Sequence, residues 1–286
     1  MLSWSPRHPR ARRRSANPGL RRGRLYGYRR VHALLCREAE KTRRDAPNPK
    51  RVYRVMKVHG LLLQRGGERP EERRHDGRVA VDLRNTRWCS DGLEIICDNG
   101  GKVRVASALD CCDREAMGHV ATTGGITAED VQELMVATVE HRYGQVNRVP
   151  EPIEWLTDNP VLSEAEGGSC YPARNTRAFA RGIGLIPRTS PVSSPQSNGM
   201  AEAFVRTLKR DYVRVNPRPN AQSVVDQLPG WFAHYNEVHP HRALRYRSSR
   251  EFIAQTCEAC QAFRGQQQRG CKLSPTISSA TMNDIS

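Results

Sequence analysis

Three acidic residues stand where α/β proteins gather functional groups. Asp91 falls inside the strand-like run Trp88-Cys89-Ser90-Asp91-Gly92. Asp158 falls where a later apolar run, Trp155-Leu156-Thr157, gives out. Glu202 comes early in a long helical stretch, after the loop Ser194-Pro195-Gln196-Ser197-Asn198-Gly199. Strand ends and helix starts are where such sheets build sites. Three carboxylates brought together repel one another unless cations neutralise them, and an all-oxygen ligand set suits Mg²⁺ or Mn²⁺. Two such ions about 4 Å apart clamp a phosphodiester, one at the attacking oxygen and one at the leaving oxygen. Any single acid among the 30 in the chain reads as well as a solvated surface group. The company of Glu202 argues for chemistry. On a helix, Arg206 and Lys209 share its face at i+4 and i+7, so one acid leads a basic stripe suited to a phosphate backbone. Ordinary ion pairing would account for Glu202 and Arg206, but not for the Gly-bearing loop that feeds the helix.

The elements that must hold these positions are written in the hydrophobic periodicity. Trp88–Cys97 and Lys102–Asp110 predict adjacent strands about the turn Asp98-Asn99-Gly100-Gly101, and Ala116–Thr122 a third. Thr127 can cap a helix whose apolar face is Val131, Leu134, Met135 and Val139. Ile153–Thr157 predicts a strand, Asn175–Gly182 a helix and Leu185–Arg188 another strand. A long helix is expected from about Asn198 to Val213. A second follows from about Ala221 to Val238, with a bend at Pro229-Gly230. This order predicts an α/β fold, a mixed sheet flanked by helices.

The net charge is +16, and its distribution is uneven. The first 90 residues hold 25 Lys/Arg against 8 Asp/Glu, whereas the rest hold 21 against 22. A basic first third ahead of a near-neutral body points to nucleic acid rather than to a merely solvated tail. Residues 1–24 are Arg/Pro/Gly-rich and expected to be disordered. Residues 25–65 predict two short helices, with Val31, Leu34 and Leu35 on one face and Val52, Val55 and Met56 on the other, divided by Pro47-Asn48-Pro49. Arg29, Arg30, Lys50, Arg51 and Arg54 make this segment a candidate helix-turn-helix-like DNA-binding module; a plain basic helical hairpin fits the pattern nearly as well. Residues 66–84 read as a linker, 85–255 as the catalytic core and 256–286 as a loose tail. No apolar run is long enough for a membrane helix, and no secretory signal is visible, so a cytoplasmic protein is expected. The nine cysteines are odd in number and irregular, which fits reduced thiols. Cys257 and Cys260 have zinc-like spacing, but no second pair follows.

Several short strings then combine: Tyr26-Gly27-Tyr28-Arg29-Arg30, Lys50-Arg51-Val52-Tyr53-Arg54, Trp88-Cys89-Ser90-Asp91, Leu156-Thr157-Asp158-Asn159, Ser194 to Gly199, and His234-Tyr235-Asn236 with His239-Pro240-His241. Their order and spacing closely resemble the integrase-core transposases of bacterial insertion sequences, in the Asp-Asp-Glu superfamily that includes retroviral integrases. The resemblance runs from about Tyr26 to Phe252. It implies an RNase H-like domain in which Asp91, Asp158 and Glu202 hold two Mg²⁺ or Mn²⁺ ions, with Arg206 and Lys209 facing DNA. The implied reaction is hydrolytic nicking at an element end, followed by attack of the freed 3′-hydroxyl on another phosphodiester. The implied partners are double-stranded DNA, further copies of the chain, and an upstream-frame protein carrying a helix-turn-helix; the implied location is the nucleoid. Asp110, at a family-like strand end, is expected to support the fold. For His234–Arg247, packing and DNA contact stay equally open.

This copy departs from the family in its first twenty or so residues, which do not match, and in the stretch between the second Asp and the Glu. The 43 residues between Asp158 and Glu202 exceed the family spacing, and removing Pro160–Gly167 restores the run Asp158-Asn159-Gly168. Loop length alone costs little, but Glu164 and Glu166 add negative charge beside a site for phosphate and metal. The expectation is a chain that folds with impaired catalysis. The competing readings are a non-catalytic DNA-binding remnant or regulator, and a nuclease that cuts without joining.

Overall fold

The computed structural model describes residues 26–63, 81–157, 174–189 and 199–257. Asp158, the run Pro160–Gly167, residues 1–24 and Cys260 lie outside the described residues.

Two helices open the described chain, α1 (Tyr28–Lys41) and α2 (Pro49–Val58). Asn48 starts α2 by accepting the Lys50 N–H at 2.8 Å, and Pro49 occupies the first turn, where its missing N–H costs nothing. Val52 and Met56 are buried, whereas Val55 and Leu35 are 50% and 42% exposed. The apolar faces read from the sequence are thus each one residue too wide. A hairpin covered on one side only has no second surface to bury them.

Five strands follow, with helices between them: β1 (Arg87–Ile96), β2 (Lys102–Asp110), β3 (Ala116–Thr122), α3 (Ala128–Tyr143), β4 (Ile153–Thr157), α4 (Arg174–Gly182) and β5 (Leu185–Thr189). The strand order is β3-β2-β1-β4-β5. The first three strands are antiparallel neighbours, while β4 runs parallel to both β1 and β5. The hairpin between β1 and β2 turns through Gly100 at φ 81°, in the left-handed region that glycine enters without steric cost. The last long helices are α5 (Gly199–Leu208), which continues through a π turn at Lys209–Val213, and α6 (Ala221–Glu237), which runs on through Pro229. Residues 249–257 form a final helix, α7. This is the RNase H-like mixed sheet flanked by helices.

Strand alternation splits the core in two. Cys89, Leu93 and Ile95 of β1, Val105 and Leu109 of β2 and Leu156 of β4 pack against Ala201 and Phe204 of α5 and Leu228 and Trp231 of α6. Trp88, Ala106, Trp155 and Leu185 face the other way, onto Val131, Leu134 and Met135 of α3 and Ala180 of α4. Helix α3 begins with a capping box between Thr127 and Asp130. It lies close to β3 because Gly118 has no Cβ, which would stand 3.0 Å from Thr138 Oγ1.

The helical hairpin is seated on this core. Tyr26 is hydrogen-bonded through its hydroxyl to His239 Nδ1 at 2.9 Å. Arg37 donates to the Val238 and Tyr246 carbonyls at 2.6 and 3.0 Å and pairs with Glu251 at 2.6 Å. Arg30 lies 3.7 Å from Asp211, in the π turn that extends α5. Residues 81–84 are tied down too: Val81 packs on the first core, and Arg84 pairs with Asp113 at 2.9 Å.

Candidate active site

Asp91 lies mid-strand in β1, opposite Ser107 of β2. Its neighbours two residues away on the same strand face, Cys89 and Leu93, both belong to the core under α5 and α6. By the same alternation Asp91 points to the face that α5 covers. It is half-buried, and one carboxylate oxygen accepts the Gly92 N–H at 2.7 Å. Glu202 stands in the first turn of α5. Its helix is pressed onto β1 by Met200, Ala201, Phe204 and Val205. Glu202 itself is left partly exposed, its side chain 38% accessible. Asp91 and Glu202 therefore share one side of the sheet at the seam between β1 and α5. Asp158, which follows Thr157 at the end of β4, lies outside the described residues.

The basic residues of the helix are solvent-facing. Arg206 is 72% exposed and 3.9 Å from Glu202, a loose i, i+4 contact of little energetic weight. Lys209 is exposed at the start of the π turn. On the hairpin, Arg29, Lys50, Arg51 and Arg54 are exposed, and only Arg30 is partly withdrawn, toward Asp211. Among the described residues no group of three or more His, Cys, Asp or Glu side chains is arranged to hold a metal ion. What β1 and α5 offer is two hard oxygen donors on a shared face, a donor type that suits divalent ions such as Mg²⁺ or Mn²⁺.

Asp110 does other work, as its position at a strand end suggested. Fully buried, it accepts from the backbone N–H groups of Asn85, Cys112 and Asp113 and from Trp88 Nε1 at 2.7 to 3.2 Å. Arg142, whose side chain is 6% exposed, reaches Asp110, Asp113 and Glu115 at 3.4, 3.2 and 2.9 Å. Burial, with Asp110 beside it, pushes the Asp113 carboxyl up. Burial also works against the charged Glu115, but the hydrogen bond from His141 and the charges of Arg142 and Arg250 win and hold it low. These acids are saturated with internal partners, and a metal would have to displace them.

In the segment His234–Arg247 some residues pack and others face solvent. Asn236 bonds both backbone groups of Ala116 at 2.9 Å, fastening α6 to the start of β3. His239 and His241 are buried and edge-on to one another, with His239 stacked on Tyr235 and His241 edge-on to it. Those residues pack. Arg242 and Arg245 are exposed. The six described cysteines are free; a hydrogen bond with Cys111, and then burial, push the Cys89 thiol up. Cys257 is one of them and lies near Arg84. Residues to which sequence reasoning gave no structural role are Tyr26, Arg37, Arg142 and Asp211. Tyr26, Arg37 and Arg142 carry no local signal because their partners are distant in the chain, and Asp211 pairs with distant Arg30 as well as with its neighbour Arg210.

No described helix is long and apolar enough to cross a membrane. Residues 184–248 match the family model described as the integrase core domain. The chain is 53% identical over 232 residues, 80% of its length and 74% of the relative's, to the InsD transposase of insertion element IS2A/D/F/H/I/K from Escherichia coli. It is equally similar to the InsD transposase of IS2-9 from Escherichia coli strain K12, covering 72% of that relative. Among solved structures it is similar to a chain of the simian T-cell lymphotropic virus intasome (14% identity, TM-score 0.49, 83% of this chain and 71% of that one). It is also similar to the Mos1 transposase catalytic domain solved with raltegravir and Mg (14% identity, TM-score 0.42, 52% of this chain and 71% of that one).

Proposed function

The chain belongs to the insertion-sequence transposases, the family of its InsD relatives, and from that premise we propose that it cuts and joins DNA with Asp91, Asp158 and Glu202. The observation that carries the reading is the register of β1 on β4. Cys89 lies opposite Leu156 in a parallel pair, and both side chains enter the core under α5. Asp91 comes two residues further along β1, on that same face by alternation, and in the sequence Asp158 follows Leu156 by the same two residues. Glu202 rides on the helix above.

In this reading Asp91, Asp158 and Glu202 would hold two Mg²⁺ or Mn²⁺ ions. When bound, such ions activate the attacking oxygen and stabilise the leaving oxygen of a phosphodiester. The chain's own residues supply position. Arg206 and Lys209 extend from the Glu202 face toward solvent, where they can hold backbone phosphates beside the site. The hairpin's Arg29, Arg30, Lys50, Arg51 and Arg54 form a separate basic surface for the double-stranded element end or target, with Arg30 also bonded inward. The segments 25–65 and 85–255 are then a DNA-gripping module and a catalytic core, flanked by the arm 1–24, the linker 66–84 and the tail 256–286. Copies of the chain would assemble on paired DNA ends at the nucleoid, with an upstream-frame helix-turn-helix protein aiding end recognition.

The test is strand cleavage and joining on a labelled duplex carrying an element end. Asp91→Asn, Asp158→Asn and Glu202→Gln should each abolish both steps while leaving salt-sensitive DNA binding intact. Mg²⁺-dependent cleavage that survives any one of these changes would remove that residue from the site.

A further inference from the structure

Helix α1 and the loop 241–247 enclose a basic cleft. Two adjoining cavities of about 630 and 320 Å³ share Arg29 and Tyr246 as walls. Arg245 and Arg247 line the larger, and Arg242 lines the smaller. The charges here fall into two groups. Arg37 is committed to Glu251, and Arg210 and Arg30 are committed to Asp211. Arg29, Arg242, Arg245 and Arg247 are not engaged in any ion pair among the described residues, and the one further acid on the cleft wall is Glu40. Clustered cations without counter-charges repel one another in the free chain, a cost that a polyanion reverses.

The loop is shaped to hold them there. Arg245 and Tyr246 take φ of 56° and 64°, two consecutive non-glycine residues in the left-handed region. Such conformations persist only where the surroundings over-determine them, and they gather at functional sites. Here the Tyr246 N–H donates to the His241 carbonyl at 2.8 Å and the His241 N–H to the Arg247 carbonyl at 2.9 Å. Leu244 is buried beneath the loop, and Arg37 holds the Tyr246 carbonyl from α1. With the loop so pinned, Arg242 and Arg245 are left exposed and Arg247 half-buried.

We propose that this cleft is a further tract for a DNA backbone, in which Arg242, Arg245 and Arg247 contact phosphates together with Arg29. The proposal rests on reading the chain as a DNA-acting enzyme. It does not rest on the metal site, since neither Asp91 nor Glu202 lines either cavity.

The experiment measures binding of the full chain to a mixed-sequence duplex in EDTA, over salt from about 50 to about 200 mM. The variant carries Arg242→Ala, Arg245→Asn and Arg247→Ala together; Asn tolerates the left-handed backbone at 245. Three lost phosphate contacts should shrink the slope of log affinity against log salt by about 2 to 3, with affinity at the lowest salt down at least about tenfold. Lysine at all three positions should restore the slope, which a folding defect would not predict. Arg181→Ala, exposed on α4, should leave it unchanged. A triple variant that matches a steeply salt-dependent parent overturns the cleft alone. A parent chain that fails to bind duplex DNA overturns the reading beneath it as well.

Discussion

Arg142 sets its guanidinium 2.9 Å from the Glu115 carboxylate, with both side chains almost wholly removed from water. The same group compensates Asp110 and Asp113. Removing one partner from a buried ionic cluster costs about 3–5 kcal/mol, and the lower end applies here because Arg84, Arg250 and His141 would still face Asp113 and Glu115. Arg142→Leu should therefore destabilise the chain by an amount of that order, read from urea unfolding near neutral pH. A loss under about 1 kcal/mol would show that water reaches these acids.

Acid should weaken the fold through its buried imidazoles. Burial depresses His239 far below the ordinary histidine value, and burial with Arg114 nearby depresses His241 from 6.5 to about 3. The unfolded chain then binds protons at pH values where the native chain does not, so stability falls as pH drops from 6.5 toward about 3. His241 Nε2 is also buried without a hydrogen-bond partner. His241→Phe should flatten this limb by about 1.4 kcal/mol per pH unit, measured as unfolding free energy against pH. An unchanged slope would mean that the ring titrates in the native state.

Divalent cations should stabilise the parent chain and not its site variants. A ligand at a hundred times its Kd raises stability by about 2.7 kcal/mol. Mg²⁺ or Mn²⁺ should raise the Tm of the parent, and chelation should reverse the rise. Asp91→Asn or Glu202→Gln should abolish it. Equal shifts in parent and variants would place the bound ion elsewhere.

The extra run Pro160–Gly167 should hinder catalysis rather than folding. A chain lacking those eight residues should transfer strands faster than the parent while unfolding at the same urea concentration. Equal transfer rates would clear Glu164 and Glu166 of any part in the site.

Arg37→Ala should loosen the hairpin. It strips the partner from two carbonyls, at about 1–3 kcal/mol for a buried unsatisfied group, and leaves Glu251 without its arginine. Hydrogen exchange in α1 should accelerate while β1 and β2 stay protected. Protection of α1 at the parent level would mean that Tyr26 and Arg30 suffice.

The sheet was legible because its strands are apolar runs bounded by turn signals, such as the glycines after β1 and the Thr127 cap. Thr127, Asp98 to Gly101 and the face from Val131 to Val139 all behaved as local chemistry dictates. Asp91 and Glu202 were singled out as candidates by their places at a strand and a helix start, and the burial pattern explains why those places share one face. What stayed hidden lies between distant segments. Tyr26 and His239 are 213 residues apart, and the loop 241–247 has no period to read. Arg142 looks like any charged residue in the last turn of a helix until its three buried partners are seen.

The seam made by Tyr26, Arg30 and Arg37 joins the front of the chain to the segment that closes over its back. On the proposed reading, a gripping surface fastened this way cannot swing relative to the cutting edge without breaking the Tyr26–His239 bond and the ion pairs of Arg30 and Arg37. Reach must then come from bending the DNA or from adding a second copy, and the distance between grip and cut is set by one copy's own dimensions.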